Sequence, residues 1–370
     1  MITCTVRALS RIVAPLLLFT CLAVVSGCSS LASPRSTPTN EAPASTRVFY
    51  ATDRASLNHN NGCPAYRTDR STLSFGDCVV SIPTSHSTGR WEIPDDWHAA
   101  GADDQTRYLV MQHGHRYDES AFFSRLDEAL AKAERKEVLL IIHGFNFDFN
   151  DAITLAAQVG YDLDFKGVLM AYSWPSRGTV SAYPIDASNL AWSLPHLREL
   201  LDMLNQRLGD NQLSLFAHSL GARLLGETLH QAQLSGRPVI GSATRHIILA
   251  APDIDHEIFE RDVAPALINL KTKITLYVAS NDRALLGSNY FHGYRRAGDS
   301  SDYPIVSEGI DTIDISAINA SVYGHGYFSE SRAFLSDVYY LLNEDKPAAR
   351  RFGLSEAYTP GGRKYWRFRP

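Results

Sequence analysis

The chain predicts an α/β fold: a mostly parallel central sheet with helices on both faces and antiparallel strands at its amino-terminal side. Three observations carry that expectation. Apolar runs of strand length recur at 138–142, 168–172, 213–217, 247–250 and 274–278, each nearly continuous rather than alternating. A strand that is apolar on both sides has to be buried on both sides, which is the condition of a parallel sheet between helical layers. Longer segments with helical spacing separate these runs, and apolar residues make up 45% of the 370, enough for a sizeable core.

Taken in order, Arg47 to Thr52, Val79 to Ile82 and Tyr108 to Met111 are short β-rich runs, expected to open the sheet as antiparallel strands. The five apolar runs then supply the parallel strands. From Leu190 to Leu208, Leu197, Leu200, Leu201, Leu204 and Leu208 share one face, which predicts an amphipathic helix. Glu257 to Leu270 predicts another. Ile310 to Ile315 fits a last strand and Ser331 to Asn343 a closing helix. No internal repeat is present.

The first 27 residues read as an export signal. Arg7 and Arg11 precede the apolar stretch Ile12 to Val25, and small residues lead to Cys28. That stretch falls short of the roughly 20 residues that span a bilayer, and Pro15 interrupts it. Val25-Ser26-Gly27-Cys28 resembles the bacterial lipobox, which implies acylation of Cys28 as the first mature residue. With Ser29 and Ser30 following, and no acidic residue beside the cysteine, the resemblance implies a lipoprotein of the cell envelope. In a Gram-negative cell that means the outer membrane, on its periplasmic side. Residues 28–44 are rich in Ser, Thr and Pro and are expected to form a flexible tether. Residues 45–345 fit one large domain, and 346–370 a basic C-terminal extension carrying Arg350, Arg351, Arg363, Lys364, Arg367 and Arg369, solvated or packed as a tail. A net charge of −5 gives no electrostatic case for nucleic acid. Cys63 and Cys78 remain as an even pair, which in an exported protein suggests a disulfide, with two buried thiols as the alternative.

The most specific motif is Ala217-His218-Ser219-Leu220-Gly221, placed between the strand 213–217 and a helical pattern. This is the pattern of a nucleophile elbow, where a serine sits on a tight strand-to-helix turn with its hydroxyl raised above the sheet. Small residues must flank the turn, and Gly221 and Ala217 meet that need. A serine hydroxyl attacks only when a histidine takes its proton and a carboxylate orients that histidine. Asp282 lies just past the strand 274–278, and His325 lies past the last strand in a glycine-flanked loop. Ser219, Asp282 and His325 fall in the order this architecture requires. Asp253, past the preceding strand, is the alternative acid, and its competing role is a helix N-cap. Beside the serine, His218 is expected to point away across the turn, and His143 to be structural. For the oxyanion, the N–H groups of Leu220 and Phe145 are the candidates, the second in the loop His143-Gly144-Phe145-Asn146. The constellation calls for no cofactor and no metal.

Together with Phe49-Tyr50-Ala51-Thr52-Asp53-Arg54, Tyr172-Ser173-Trp174-Pro175-Ser176, Leu249-Ala250-Ala251-Pro252-Asp253, Asn281-Asp282-Arg283-Ala284-Leu285 and Gly324-His325-Gly326-Tyr327-Phe328, these motifs make the chain resemble the α/β-hydrolase superfamily. The resemblance is to a bacterial branch of uncharacterised esterase/lipase-like enzymes, and it covers about Val48 to Leu342. It implies the α/β-hydrolase fold and a serine hydrolase of carboxylic esters acting through an acyl-enzyme. The implied partner is a small-molecule or lipid ester, and the oligomeric state stays open.

Over the site, Trp174, Phe145, Phe291 and Tyr290 are expected near the serine, and Arg177, Arg295 and Arg296 either meet an anionic group or stand in solvent. Two other readings compete. One is a non-catalytic envelope lipoprotein that uses a hydrolase scaffold to hold a partner. The other is a metal site on His113-Gly114-His115 with Asp118, which lacks visible third and fourth ligands.

Overall fold

The structure is a computed structural model that describes residues 43–57, 62–94, 105–318 and 325–369. The expected export signal, Cys28 and nearly all of the expected tether lie outside the described residues. Strands follow in chain order as β1 (Ala44–Leu57), β2 (Ala65–Ile82), β3 (Val110–Tyr117), β4 (Val138–Ile142), β5 (Val168–Ser173), β6 (Leu213–His218), β7 (Thr244–Ala250), β8 (Lys273–Val278), β9 (Ile310–Asp314), β10 (Leu354–Tyr358) and β11 (Lys364–Phe368). They make one 11-stranded sheet in the order β10-β11-β9-β8-β7-β6-β4-β5-β1-β2-β3. Every pairing from β11 through β1 is parallel, while β1–β2, β2–β3 and β10–β11 are antiparallel. This is the α/β-hydrolase fold class expected.

The continuous apolar runs are buried on both sides for a simple reason. Successive side chains of a strand face opposite ways. Leu140 and Ile142 of β4 join one core with Phe122, Phe123 and Leu126 of α1 (Glu119–Lys132). Leu139 and Ile141 join the other with Ile153 and Leu155 of α2 (Phe149–Asp162). The first core also takes the buried leucines of α3 (Tyr183–Arg207) and α4 (Leu220–Leu234).

Beyond β7, the helix expected over 257–270 is broken into α5 (His256–Ile258), a π turn (Phe259–Val263) and α6 (Ala264–Ile268). Pro265 explains the break, since it has no N–H to give to a regular ladder. Three further helices complete the fold: α7 (Arg283–His292), α8 (Tyr327–Glu330) and α9 (Arg332–Leu342). The last two lie on the second core, through Tyr327, Phe328, Phe334 and Val338.

Two expectations need correction. The third strand begins at Val110 and runs on to Tyr117, so Tyr108 precedes it. The basic C-terminal extension is no tail: its hairpin β10–β11 adds to β9, with Trp366 and Phe368 buried in the second core. Arg351 is buried with it, bonded to Asp337 at 2.8 Å, so part of the basic charge is neutralised inside the fold.

Because β4 to β9 run parallel, their carboxyl ends open on one edge of the sheet, where sites of such sheets form. The loops after β4, β6, β7 and β8 meet there.

Candidate active site

Ser219 leaves β6 with φ +53° and ψ −122° before α4 begins. A non-glycine residue in that region costs about 1–3 kcal/mol, so the surroundings must hold it. They do so through backbone bonds: the Ser219 N–H donates to Ala250 O (2.9 Å), and the Asp253 N–H donates to Ser219 O (3.3 Å). The need for small neighbours is steric. A Cβ on Gly221 would lie 2.2 Å from His143 O, and one on Gly144 would lie 2.9 Å from Ser219 Cβ. Ala217 is fully buried in β6 and carries its Cβ into the first core.

The Ser219 hydroxyl donates to His325 Nε2 at 2.8 Å, and His325 Nδ1–H donates to Asp282 Oδ2 at 2.7 Å. Asp282 uses its other oxygen, Oδ1, to cap α7, accepting from the N–H groups of Ala284 (3.1 Å) and Leu285 (3.0 Å). One carboxylate thus starts a helix and orients an imidazole. Burial disfavours a charged His325, but the charge and hydrogen bond of Asp282 outweigh it and raise the pKa above 6.5. Such a chain of bonds can carry a proton from a hydroxyl to an imidazole whose tautomer is fixed.

Asp253, the alternative acid, goes elsewhere. Its Oδ1 accepts from Arg296 Nε (2.7 Å) and Ser288 Oγ (2.6 Å), and its Oδ2 from Tyr183 Oη (2.6 Å). Burial alone would raise its pKa, but Arg296 and the two hydroxyls lower it below the usual carboxylate value. The helix N-cap role falls to Asp255, whose Oδ1 takes the Glu257 and Ile258 N–H groups. Arg296, expected at an anionic group or in solvent, is buried against Asp253. Removing either partner would leave a lone buried charge, at a cost of about 3–5 kcal/mol. Arg295 bonds the Tyr303 carbonyl at 2.8 Å and lies over its ring, and Arg177 stays exposed.

Leu220 and Phe145 both stand beside the serine turn. Among the described residues, neither N–H is spent on a protein acceptor. The loop bearing Phe145 is pinned from below. Buried Arg54 donates to Ser173 Oγ (2.9 Å), Ser176 O (2.8 Å) and Phe147 O (2.9 Å), tying the loops after β4 and β5 together. His143 stacks on Trp174 with ring centroids 5.2 Å apart, and burial, followed by the charge of Arg54, pushes its pKa down to about 3. It is therefore neutral. Trp174, expected in the pocket, is instead buried and donates to His143 O at 2.8 Å.

His218 also differs from expectation. Its ring does stack on Phe328 (centroids 3.8 Å), but Nε2–H reaches the His325 carbonyl at 3.2 Å. Burial, and then the neighbouring His325, keep it neutral. The residue next to Ser219 thus braces the backbone at His325.

A cleft of about 210 Å³ opens at Ser219 and His325, lined also by Phe145, Tyr183, Leu285 and Phe291. Tyr290 is not part of it and is 88% exposed. Sequence spacing expects the insertion through Tyr183 and the segment Leu285 to Tyr294 over the site, and the cleft takes Tyr183, Leu285, Ser288 and Phe291 from them; it gives Val180, in the turn before α3, no role. Cys63 and Cys78, expected as a disulfide, are free thiols in side-chain hydrogen-bond contact, brought together but unbonded. Asp118 caps α1 through the Ala121 N–H (2.8 Å), and among the described residues no group of three or more His, Cys, Asp or Glu is placed to hold a metal.

A sequence model of the family described as "Alpha/beta hydrolase of unknown function (DUF900)" matches residues 118–342. An uncharacterized protein of Nostoc sp. is 25% identical over 127 residues, covering 28% of this chain and 33% of that relative, so the chain spans about a third of its length. Among solved structures, a hyperthermophilic esterase from the archaeon Pyrobaculum calidifontis is 12% identical with a TM-score of 0.34, covering 58% of this chain and 78% of that one. An esterase from the fungus Rhizomucor miehei is 11% identical with a TM-score of 0.34, covering 82% and 85%. None of these likenesses identifies a substrate.

Proposed function

The chain belongs to the alpha/beta hydrolases of unknown function, and from that premise we propose that it is a serine hydrolase of carboxylic esters, of the bacterial esterase/lipase-like kind. In this reading Ser219 Oγ attacks the ester carbonyl carbon while its proton passes to His325 Nε2. The carbonyl oxygen becomes an oxyanion facing the N–H groups of Leu220 and Phe145. Asp282 holds the imidazole and balances its charge. Collapse breaks the bond to the alcohol, which leaves with the proton from His325 and gives an acyl-Ser219. Water, deprotonated by His325, attacks that ester, and the acid departs as Ser219 regains its proton.

One observation supports this above the others: the unbroken bond series from the Ser219 hydroxyl through His325 to Asp282, at 2.8 and 2.7 Å. Labelling with a fluorophosphonate probe tests it. The folded protein is expected to gain one adduct, on Ser219, and Ser219→Ala none. A folded wild type that stays unlabelled would end the proposal, and would favour a partner-holding scaffold.

We propose further that residues 1–27 are removed on export, that acylated Cys28 anchors the domain to a membrane through the 28–44 tether, and that the enzyme works in the cell envelope, at the outer membrane facing the periplasm. An oxidising envelope would also be the setting in which the Cys63 and Cys78 thiols close a disulfide.

A further inference from the structure

We infer that the cleft beside Ser219 takes a short, uncharged acyl chain of about two to six carbons, and that Tyr183 is the residue that limits its length. The inference rests on the ester-hydrolase reading and adds a substrate class to it. Size comes first. The cleft holds about 210 Å³, room for roughly seven water-sized groups at about 30 Å³ each, of which the ester atoms need some. Pockets that enclose drug-sized ligands begin at about 300 Å³.

Chemistry comes second. Phe145, Val180, Ala284, Leu285 and Phe291 give the cleft an apolar lining. The one buried carboxylate on its wall, Asp253, has its oxygens committed to Arg296, Ser288 and Tyr183. Among the described lining residues, His325 apart, no charged group is left to meet a charged acyl chain.

Rigidity comes third. The Tyr183 hydroxyl donates to Asp253 Oδ2 and also lies 3.0 Å from Ser288 Oγ and 3.1 Å from His292 Nε2. Its ring packs edge-on against Phe145 (centroids 5.3 Å) and near-parallel to Phe291 (6.1 Å). To move aside for a longer chain, Tyr183 must abandon a bond to a buried carboxylate. That side of the wall is fixed, while Leu285 and the exposed Phe291 complete the lining.

The test is a series of p-nitrophenyl esters from acetate to laurate, compared by kcat/KM on the full chain. Wild type is expected to lose at least about tenfold between butyrate and octanoate. Tyr183→Ala is expected to bring octanoate to within about threefold of butyrate. Phe291→Ala removes an exposed ring from the same cleft and leaves the Asp253 bonds intact, so it should raise octanoate relative to butyrate even if Tyr183→Ala folds poorly.

Octanoate or laurate turned over by wild type as well as butyrate overturns the inference, as does a wild-type profile in both folded variants. A second series, acetates of lengthening alcohols, guards the assignment of side. Length dependence confined to that series would give the cleft to the alcohol and overturn the acyl assignment. Failure of the hydrolase reading itself looks different: no ester is turned over and no fluorophosphonate binds, and the inference falls with it.

Discussion

His325 and Asp282 show how much a single ion pair can tune. In the proposed mechanism the imidazole accepts the Ser219 proton only when neutral, so its raised pKa would define the acid limb of the activity. The sign follows directly: kcat/KM rises with pH, with a midpoint above 6.5, and stays flat once the imidazole is neutral. Asp282→Asn removes the charge that favours the imidazolium, so the residual activity should be lower by orders of magnitude and its midpoint should move down. A pH–rate profile of both proteins checks this; a midpoint that stays put in the variant would remove Asp282 from its assigned place. Legibility at this scale depended on distance along the chain. The serine turn was readable because its requirements are local, five residues on one strand-to-helix bend. Asp282 and His325 were readable because strand order places carboxyl ends together. The true partner of Asp253 was not, since Arg296 lies 43 residues on and nothing local marks it as buried.

The segment 83–94 shows an element held by titratable side chains rather than by a core of its own. His86 bridges Glu92 (Nδ1, 2.7 Å) and Asp162 at the end of α2 (Nε2, 2.8 Å), with its ring against Tyr161. Burial disfavours the charged ring, but hydrogen bonds donated to Asp162 and Glu92 raise its pKa above 6.5. A raised folded-state pKa stabilises below the unfolded value, and that stabilisation is lost as pH climbs through the folded value. Thermal melts of wild type and His86→Gln should therefore differ most near about pH 6 and converge by about pH 9. A gap that is constant across that range would mean the bridge is neutral throughout. Element prediction from sequence succeeded where the apolar pattern was strong, as in the continuous runs of β4 and β6 and the helical spacing of α3. It missed the β10–β11 hairpin because its buried residues, Trp366 and Phe368, share a face with Lys364 and alternate with Arg367, and the charge masked a period-2 pattern.

At the scale of the molecule, one sheet carries everything, and the proposed anchor adds an address. Growth with a clickable palmitate analogue is expected to label the wild type and not Cys28→Ala, with the variant released to the soluble fraction; labelling that survives the substitution would sink the anchor. The fold class was legible as composition and period, and Phe145 and Phe291 were expected beside the serine, whereas the full lining was not legible because it comes from separate loops and helices. The N-cap of α7 ties these levels together. Asp282 begins the helix whose next residues, Ala284, Leu285, Gly287, Ser288 and Phe291, form one flank of the cleft. A guest that crowds that flank therefore tugs on the carboxylate steering the proton acceptor. In the proposed mechanism selectivity and reactivity share a single hinge-pin, so an ill-fitting guest would meet a blunter enzyme as well as a tighter berth.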